Sequence, residues 1–442
     1  MKKQIIIRIP VPLCEIIKTD LDRPHQHAFE RVGFVTGKSK QIDSTTELIC
    51  LSEYFPVADE NYLKDDSVGA RINSDAIREA MQLAMDNKCS IFHIHKHFGW
   101  GTPGFSTTDL KELPSIAQAM VNANPNSTHG VLLLSDDNAN AVLRMNKHIG
   151  NITPSKITIV GHPLTFNKDS YAKTVFDGNR YSRQSFLGNW AQRILSSVRV
   201  GIVGLGGGGS HIVQQLAHVG VLDYVIFDDD FVSDSNLNRL VGATLRDVRK
   251  KMKKTLIAKR LVKGIQPKAK INLKNDKWQE HAELLHSCDI VFGAVDSFAA
   301  RRDLELDCRR YLIPYIDIGM DVRIIEPEPP RLYGQVILSM PGEPCMHCMG
   351  FLTEDNLAKE AARYGDAGVR PQVVWSNGIL ASTAVGIGID VLTGWSSRKK
   401  KLIYQEYDGN GATMSRAYRL DYLKSGQCQH FPLKDVGPVV WK

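Results

Sequence analysis

The spacing of apolar residues predicts two regions of different architecture. In residues 1–165, short apolar runs predict strands and longer amphipathic stretches predict helices. The predicted strands are Ile5–Ile9, Val32–Thr36, Leu48–Leu51, Ser90–His95, Gly130–Leu134 and Ile157–Val160. The predicted helices are Ser74–Asn87 and Thr107–Ala123. This mixed order is typical of an α+β domain.

A polar stretch with few strand signals, residues 166–189, predicts a linker, and strands then alternate with helices over residues 190–442. The predicted strands are Val198–Val203, Tyr224–Phe227, Asp289–Phe292, Tyr315–Ile318 and Leu332–Ser339. Alternation of this kind predicts a Rossmann-like α/β domain with a parallel, doubly wound sheet. The apolar run Gly378–Trp395 is interrupted by polar residues, so it predicts a buried helix and no membrane span.

Composition narrows the class of protein. A hydrophobic content of 43% and a charged content of 23% are ordinary for a globular protein. The net charge of +7 includes two basic runs, Arg249–Lys254 and Arg398–Lys401, which we interpret as solvated surfaces; without an aromatic-rich basic motif, no nucleic-acid partner is expected. Of eight cysteines only Cys345 and Cys348 are clustered. That usage, and an N-terminal apolar run too short for a signal peptide, predict a cytoplasmic protein.

The first group of chemically active residues contains histidines spaced by one. His93, His95 and His97 alternate along a predicted strand, so they share one face, and Ser106 and Asp109 follow. Two imidazoles and a carboxylate make a zinc site with one position open for water. Ser106 and Asp109 lie three apart on one helix face, where Asp109 can complete the ligand set and Ser106 can stabilise an oxyanion. The same pair is also an ordinary helix N-cap.

Glu30 lies just before an apolar strand and is a candidate proton carrier. Together, Glu30-x-x-Gly33-x-x-x-Gly37, the H-x-H element and S-x-x-D resemble the JAB/JAMM metalloprotease family over residues 1–165. The resemblance implies zinc-dependent cleavage of peptide or isopeptide bonds after the C-terminal glycine of ubiquitin-like proteins.

The same resemblance implies a role for each matching residue. The zinc ligands would be His95, His97 and Asp109, with Glu30 as general acid/base and Ser106 on the oxyanion side. The pair His93/His95 stays open as an alternative to His95/His97, and so does an inactive, metal-free domain. Phe98 stands where family members usually have proline.

The second group begins with a glycine-rich turn after the strand Val198–Val203. Glycines there let backbone N–H groups approach phosphates at a helix N-terminus, and Asp228 at the end of the next strand suits ribose hydroxyls. Polar and cationic residues follow, which suit an enzyme that must hold a triphosphate and Mg²⁺. The second group comprises Gly204, Gly206, Gly207, Gly209, Ser210, Asp228, Asp230, Asn236, Arg239, Lys254, Asp296 and Arg301.

These elements, with Arg180-Tyr-Ser-Arg183-Gln184 before them, resemble the ThiF/MoeB and ubiquitin-activating-enzyme family over residues 176–408. The resemblance implies that the glycine turn and Ser210 cradle phosphate, that Asp228 binds ribose, and that Asp296 binds Mg²⁺ as the key catalytic carboxylate. Asn236, Arg239 and Lys254 would contact the phosphates of ATP, with Lys253 a competing assignment for Lys254. Arg183 would act across a homodimer interface, and Ser297 replaces the family's usual asparagine.

The cysteine pattern leaves three interpretations open. Cys345-Met-His-Cys348 matches the first half of this family's structural zinc site, while the second C-x-x-C is missing. Cys428 and His430 could complete a Cys₃His zinc site. Alternatively, Cys345 or Cys348 forms a thioester, or the pair are ordinary thiols.

The two resemblances together predict a fusion, of the kind that occurs in bacterial ubiquitin-like conjugation and antiviral-defence operons. The expected function is ATP-dependent adenylation of the C-terminal glycine of a ubiquitin-like protein, combined with zinc-dependent cleavage of its precursor or conjugate. The expected partners are that protein, a conjugating enzyme and a second copy of the chain, with no membrane. Two alternatives are adenylation of a sulfur carrier for thiamine or molybdopterin synthesis, and a scaffold whose JAB half is inactive.

Overall fold

The chain of 442 residues forms two compact units in a computed structural model, which describes residues 3–24, 28–65, 68–146, 150–171, 178–362, 371–397, 402–423, 426 and 428–438. The first unit is Met1–Lys173 with Pro432–Lys442, and the second is Thr174–Phe431. The division falls inside the predicted linker, 166–189. The end of the second unit differs from the predicted domain end at 442, because Leu433 packs against the core of the first unit. The basic run 398–401 lies outside the described residues.

The first unit contains one sheet of eight strands in the order β6-β5-β4-β2-β3-β1-β7-β8. The strands are β1 (Gln4–Pro10), β2 (Val32–Gln41), β3 (Thr46–Pro56), β4 (Ser90–Lys96), β5 (His129–Leu134), β6 (Ala139–Arg144), β7 (Lys156–Val160) and β8 (Thr165–Phe166). The helices are α1 (Val11–Leu21), α2 (Ser74–Asp86) and α3 (Thr107–Ala123). All the strands and helices predicted for residues 1–165 are present, whereas β6, β8 and α1 were not predicted.

The central strand β4 is buried from Ser90 to His95. It is antiparallel to β2, where His95 pairs with Val32, and parallel to β5. A strand buried on both faces holds its side chains in fixed directions, so β4 is a rigid support for the histidines it carries.

The second unit also contains an eight-stranded sheet, in the order β11-β10-β9-β12-β13-β14-β15-β16. Its strands are β9 (Arg199–Val203), β10 (Asp223–Phe227), β11 (Lys270–Lys274), β12 (Ile290–Gly293), β13 (Tyr315–Arg323), β14 (Arg331–Ser339), β15 (Ile403–Asp408) and β16 (Thr413–Arg416). Its helices are α4 (Asn189–Ser197), α5 (Gly207–Val219), α6 (Leu245–Arg249), α7 (Lys254–Ile265), α8 (Phe298–Arg310), α9 (Glu354–Ala362) and α10 (Val374–Thr393).

The strands from β11 to β13 are parallel, whereas β14, β15 and β16 pair antiparallel. The prediction of a wholly parallel sheet was therefore wrong for Leu332–Ser339, and the sheet is mixed. The physical reason is the short connection 324–330 between β13 and β14, which leaves no room for the crossover that parallel neighbours need.

Helix α10 is the apolar helix that the sequence analysis expected to be buried. Within the part of the chain that the structure describes, it is the one helix long and apolar enough to cross a membrane, and half of that apolar stretch is buried. It packs against α5, β13 and β14, with Leu380, Ala384 and Val391 in the core. The packing is that of a core helix, as predicted.

Candidate functional site

The turn between β9 and α5 is built from glycines because other residues do not fit there. Gly204 has a φ of +90°, and a Cβ at that position would lie 2.5 Å from the carbonyl oxygen of Ala294. A Cβ on Gly209 would overlap the carbonyl oxygen of Gly204, so α5 packs directly onto the turn. Helix α5 begins at Gly207 after Gly206. Its first N–H groups lack partners inside the helix, which makes this turn a candidate anion site.

Asp228 follows β10 and fixes this turn. Its Oδ2 accepts a hydrogen bond from the backbone N–H of Leu205 at 2.6 Å, and its Oδ1 accepts one from that of Asp230 at 3.0 Å. The Lys254 Nζ lies 2.6 Å from an Asp230 carboxylate oxygen and 3.7 Å from Asp228 Oδ1. Burial raises the pKa of Asp228, and the charge of Lys254 opposes that rise.

The two candidate lysines have different surroundings. Lys254 is buried and lines a small cavity with Leu205 and Ser210. Lys253 donates to the backbone oxygen of Asp229 at 2.6 Å, and its Nζ lies 3.9 Å from the centre of the Phe231 ring. This placement favours Lys254 as the cation that faces the glycine turn.

Ser210 connects the glycine turn to the segment that carries Asn236 and Arg239. Its Oγ donates to the carbonyl of Gly207 at 2.9 Å and accepts from the backbone N–H of Val241 at 3.0 Å. The hydroxyl therefore holds two parts of the site together, whatever it contributes to a ligand.

Asn236 and Arg239 lie on a short 3₁₀ turn and the residues after it. The side-chain oxygen of Asn236 accepts from the backbone N–H of Ser233 at 3.0 Å, which is a local cap. Arg239 donates to the carbonyl of Ser235 at 2.7 Å. Among the described residues, the buried Nε of Arg239 has no hydrogen-bond partner. A buried donor without a partner costs free energy of folding. A bound anion would satisfy this donor by accepting its hydrogen bond.

Asp296 and Arg301 have different environments, although the sequence analysis grouped them. Asp296 is exposed just after β12, and β12 is the parallel neighbour of β9. Because the carboxyl ends of parallel strands meet at one edge of a sheet, Asp296 and Gly204 share that edge. Arg301 is instead buried, and its Nε donates to Asp317 at 3.1 Å. Including Arg301 in an open cationic group was wrong, because this ion pair already uses its charge.

Arg183 is exposed on the 3₁₀ turn Ser182–Leu187. Its expected action across a dimer interface concerns a second copy of the chain.

In the first unit, three of the residues singled out from the sequence come together. Ligand atoms of Glu30, His95 and His97 all lie within 4.8 Å of one another. Asp109 approaches both imidazoles, with Oδ1 3.3 Å from His95 Nε2 and Oδ2 3.6 Å from His97 Nε2. The contact of His95 Nε2 with Asp109 is within ion-pair distance but lacks hydrogen-bond geometry, and among the described residues His95 Nδ1 has no hydrogen-bond partner. Two imidazoles and a carboxylate in this arrangement fit a zinc ion.

His93 has a different environment from the other two histidines. Its ring packs edge-on against Phe34, with centroids 5.6 Å apart, and burial lowers the pKa of His93 to about 3. His93 is not in the group that contains Glu30. The geometry therefore favours the pair His95/His97 over His93/His95 as the metal ligands.

Ser106 and Asp109 form a capping box at the start of α3. The Ser106 N–H donates to Asp109 Oδ2 at 2.8 Å, and the Asp109 N–H donates to Ser106 Oγ at 3.1 Å. Burial tends to raise the pKa of Asp109, but His95 and Ser106 hold it well below the usual value. The cap and the approach to His95 use different Asp109 oxygens, whereas Oδ2 accepts the cap hydrogen bond and also lies 3.6 Å from His97 Nε2.

Gly69 is a site residue that the sequence analysis missed. A Cβ there would lie 2.6 Å from Glu30 Oε2, so the missing side chain makes room for that carboxylate. The backbone N–H of Glu30 donates to the Gly69 carbonyl at 2.9 Å. Nothing in the local sequence around Gly69 signals this contact.

A third cluster joins residues from two distant segments of the second unit. The Sγ atoms of Cys345 and Cys348 lie 3.6 Å apart, and those of Cys348 and Cys428 lie 3.8 Å apart. His430 Nδ1 lies 3.6 Å from Cys345 Sγ and 3.3 Å from Cys348 Sγ. We call these residues the Cys₃His cluster. The donor set fits tetrahedral zinc.

Within the Cys₃His cluster, Cys345 is fully buried, whereas Cys348 and Cys428 are partly exposed. In the metal-free cluster, the contact between the two thiols raises the pKa of Cys345 and lowers the pKa of Cys428. A bound zinc ion would hold these thiols as thiolates. The observation against Cys345 as a thioester-forming nucleophile is its burial, because an acyl group must reach the sulfur to be attacked.

The mixed sheet, the glycine turn and the acidic residue after the next strand define a Rossmann-like nucleotide-binding unit. Residues 180–429 match the ThiF family, more than half of the chain, and the chain therefore belongs to that family.

Several characterised proteins are similar to this chain. It is 32% identical over 203 residues to the SAMP-activating enzyme E1 of Haloferax volcanii, covering 44% of this chain and 71% of that enzyme. The molybdopterin-synthase adenylyltransferase of Escherichia coli is 31% identical over 224 residues, 49% of this chain and 82% of the relative. The sulfur carrier protein ThiS adenylyltransferase of Bacillus subtilis is 31% identical over 176 residues, 38% of this chain and 50% of the relative, so the chain spans half of that enzyme. Among solved structures, E. coli MccB with ATP aligns with a TM-score of 0.47 and 21% identity over 59% of this chain and 75% of MccB.

Proposed function

We propose that the second unit uses Mg·ATP to adenylate the C-terminal glycine of a ubiquitin-like protein. The observation that carries the proposal is the contact between the glycine turn, the Asp228 carboxylate and the buried Lys254. Its support from comparison is membership of the ThiF family and similarity to enzymes named as activating enzymes and adenylyltransferases.

In the proposed reaction, an oxygen of the glycine carboxylate attacks the α-phosphorus of ATP. The bond to the β-phosphate bridge breaks, and pyrophosphate leaves with the electron pair. The N–H groups at the start of α5 bind phosphate oxygens, and Lys254 and Arg239 offset charge on the leaving group. Asp296 would hold magnesium, whose charge would offset that of the phosphates. Asp228 orients the nucleotide through ribose hydroxyls while holding the turn.

Pyrophosphate exchange into ATP tests this assignment. A panel of small proteins ending in glycine is expected to stimulate exchange by the full chain. Asp296→Ala is expected to lower exchange at least ~100-fold and Lys254→Met by ~10- to 100-fold, because each removes charge stabilisation at the phosphates. Lys253→Met is the matched control and should keep near-normal exchange. Normal exchange in Asp296→Ala would contradict the proposal.

Adenylation of a sulfur carrier is the second candidate, favoured by the similarity to the ThiS and molybdopterin-synthase adenylyltransferases. Both candidates share the acyl-adenylate and differ in what consumes it. Mass analysis of the partner after incubation with ATP and either a sulfur donor or a conjugating enzyme separates them. A C-terminal thiocarboxylate indicates the sulfur carrier, and an isopeptide-linked product indicates conjugation, in which a conjugating enzyme is the further partner.

A homodimer with Arg183 acting in trans is also proposed. Arg183 is exposed, and large aromatic side chains near it are exposed too: Phe186 is 71% exposed and Trp190 45%. An exposed apolar group of this kind suits a self-complementary interface.

Mixing two inactive variants tests the action in trans. Arg183→Ala and Asp296→Ala should each be inactive in exchange, because every site lacks one group. Mixed dimers contain one complete site, so random mixing is expected to restore about a quarter of the wild-type rate. Absence of recovery despite mixed dimers, shown by native mass spectrometry, would assign Arg183 to its own chain.

For the first unit we propose a zinc-dependent peptidase that cleaves after the terminal glycine of the same partner. The family match begins at residue 180, so this proposal rests on the geometry of Glu30, His95, His97 and Asp109. Zinc in such a set lowers the pKa of water to about 7 and polarises a carbonyl. Glu30 would carry a proton to the leaving amine, and the Ser106 hydroxyl would donate to the oxyanion.

Metal content and cleavage are measured together to test the zinc peptidase. His97→Gln should lose zinc from the first unit, whereas His93→Gln should keep it. Glu30→Gln should keep the metal and lose cleavage of a glycine-tailed fusion by at least ~100-fold, because only the proton carrier is removed. A wild-type first unit that binds no zinc would favour the scaffold alternative. A cytoplasmic location is part of the proposal, since ATP and reduced thiols are available there.

A further inference from the structure

Helix α8 carries two charged side chains, Glu305 and Arg309, that contact the chain next to the Cys₃His cluster. The Glu305 carboxylate is only 2% exposed and its Oε1 accepts a hydrogen bond from the backbone N–H of Met346 at 2.8 Å. Met346 lies inside the loop between Cys345 and Cys348. The hydroxyl of Ser339, at the end of β14, donates to the same carboxylate oxygen. Glu305 therefore holds the backbone of the loop that carries two of the thiols.

Arg309 lies four residues further along α8 and on the same helix face. It donates to Ser339 Oγ at 2.9 Å, to the Met340 carbonyl at 3.0 Å and to the Glu343 carbonyl. Its guanidinium also lies 4.8 Å from the centre of the Phe431 ring, and Phe431 directly follows His430. One side chain thus contacts the residues that lead into the Cys345–Cys348 loop and the residue that follows His430.

Buried charges of this kind are expensive unless they are paired and fully hydrogen-bonded. Burial raises the pKa of Glu305, and the charge of Arg309 opposes that rise. The two charges are connected through Ser339, which accepts from Arg309 and donates to Glu305. An apolar core would need neither group. Glu305 instead holds backbone inside the thiol loop, and Arg309 holds backbone just before it. Contacts of this kind orient metal ligands.

We propose that Glu305 and Arg309 are positioning residues that hold the Cys345–Cys348 loop and the Cys428–His430 segment in metal-binding geometry. The inference rests on the proposal that the Cys₃His cluster binds zinc. Neither side chain contacts the metal. Glu305 fixes the direction of the loop through the Met346 N–H. Arg309 joins the residues just before that loop, through the Met340 and Glu343 carbonyls, to Phe431 in the distant segment.

Cobalt substitution of the full chain tests this inference, because the thiolate-to-cobalt absorption reports only the Cys₃His cluster and not the histidine site of the first unit. Glu305→Ala should release Co²⁺ to a chelator ~10- to 100-fold faster than wild type and should alter the absorption band. Glu305→Gln keeps an acceptor for the Met346 N–H and should recover part of the loss. Asp303→Asn, on the same helix but paired with the exposed Arg302, is the matched control and should release Co²⁺ at the wild-type rate.

Arg309→Lys keeps the charge and loses the forked contacts, so it tests the same idea should Glu305→Ala fail to fold; it too should release Co²⁺ faster. Wild-type release rates and an unaltered band in folded Glu305→Ala, or in Arg309→Lys where Glu305→Ala does not fold, would overturn the role of α8. Absence of any thiolate band in wild type would show a different failure, that of the metal site itself, and would overturn the inference with it.

Discussion

At the scale of single residues, the second unit contains a buried polar group that the nucleotide site does not use. Asp317 is fully buried and accepts hydrogen bonds from Arg301 Nε at 3.1 Å, from the Tyr315 hydroxyl at 2.9 Å and from Gln335 at 3.3 Å. Burial raises the pKa of Asp317, and Arg301 opposes the rise. The group spans β13, β14 and α8, so its loss should be felt in the stability of the unit.

Arg301→Leu is expected to lower the free energy of unfolding of the second unit by about 3–5 kcal/mol, because it leaves the Asp317 carboxylate buried without its partner. Chemical denaturation of the full chain measures the loss. Arg302→Leu, at an exposed neighbouring position, should change stability by less than about 1 kcal/mol. Equal losses of unfolding free energy in the two variants would contradict a stabilising role for the buried pair.

How far the sequence predicts residue positions depends on whether the contact is local. The spacing of His95 and His97 on one strand could be read directly, since alternate residues share a face. The choice between His93 and His97 depends on the register of β2 against β4, where Val32 pairs with His95 and Phe34 with His93. Register between distant strands has no local signal, and neither does the contact between Glu30 and Gly69.

At the scale of elements, the turn between β9 and α5 contains both a glycine with a positive φ and the candidate phosphate site. Gly204 needs its positive φ and meets the backbone of Ala294, whereas a Cβ on Gly206 would meet nothing within 4 Å. The two glycines therefore serve different purposes. Gly204 permits the turn to form, and Gly206 leaves space for a ligand at the N-terminus of α5.

Two alanine substitutions in this turn should have different effects, one on stability and the other on nucleotide binding. Gly204→Ala should destabilise the second unit by about 1–3 kcal/mol through the strained φ and the clash with Ala294. Gly206→Ala should leave stability nearly unchanged but weaken nucleotide binding, since the new methyl occupies the approach to the phosphates. Thermal unfolding and nucleotide titration of both variants measure the two effects.

Gly264→Ala in α7 is the control for both substitutions. It places a methyl in open space inside a helix and should stabilise the unit by up to about 1 kcal/mol. Stability losses of similar size in Gly204→Ala and Gly206→Ala would contradict the division of roles.

Most elements could be predicted because their signals are local: apolar strands of the right length, and caps such as Asn73, which accepts from the N–H groups at the start of α2. The strand β14 was predicted, but its antiparallel direction was not, because alternation of strands and helices stops there without a change in apolar pattern. The proline-rich connection 324–330 was the available signal, since prolines leave no helix to cross over.

At the scale of the whole molecule, the residues after Phe431 group with the first unit. Leu433 packs against the buried core cluster of the first unit, to which α1 and the strands from β1 to β7 contribute. The sequence could not predict this, because the apolar pattern of a short segment does not indicate which distant core it packs against. The chain therefore passes from the first unit to the second and back again.

Leu433→Ala should loosen the first unit although Leu433 lies near the end of the chain. Truncation of a partly buried leucine is expected to cost about 1–2 kcal/mol, and amide hydrogen exchange in β1 should accelerate accordingly. Leu423→Ala, a similar change within the second unit, should leave exchange in β1 unchanged. The prediction fails if both substitutions affect β1 alike, or neither does.

The central claim is that one pocket, at the edge where β9, β10 and β12 end, attaches AMP to the terminal glycine of a protein partner. Intact-mass measurement of glycine-tailed partners, after incubation with the full chain and Mg·ATP, tests it most directly. The account predicts a partner heavier by one adenylyl group with wild type, and no such species with Asp296→Ala or with a partner lacking the final glycine. The claim is contradicted if no glycine-tailed partner gains the adduct, or if Asp296→Ala forms it as readily as wild type.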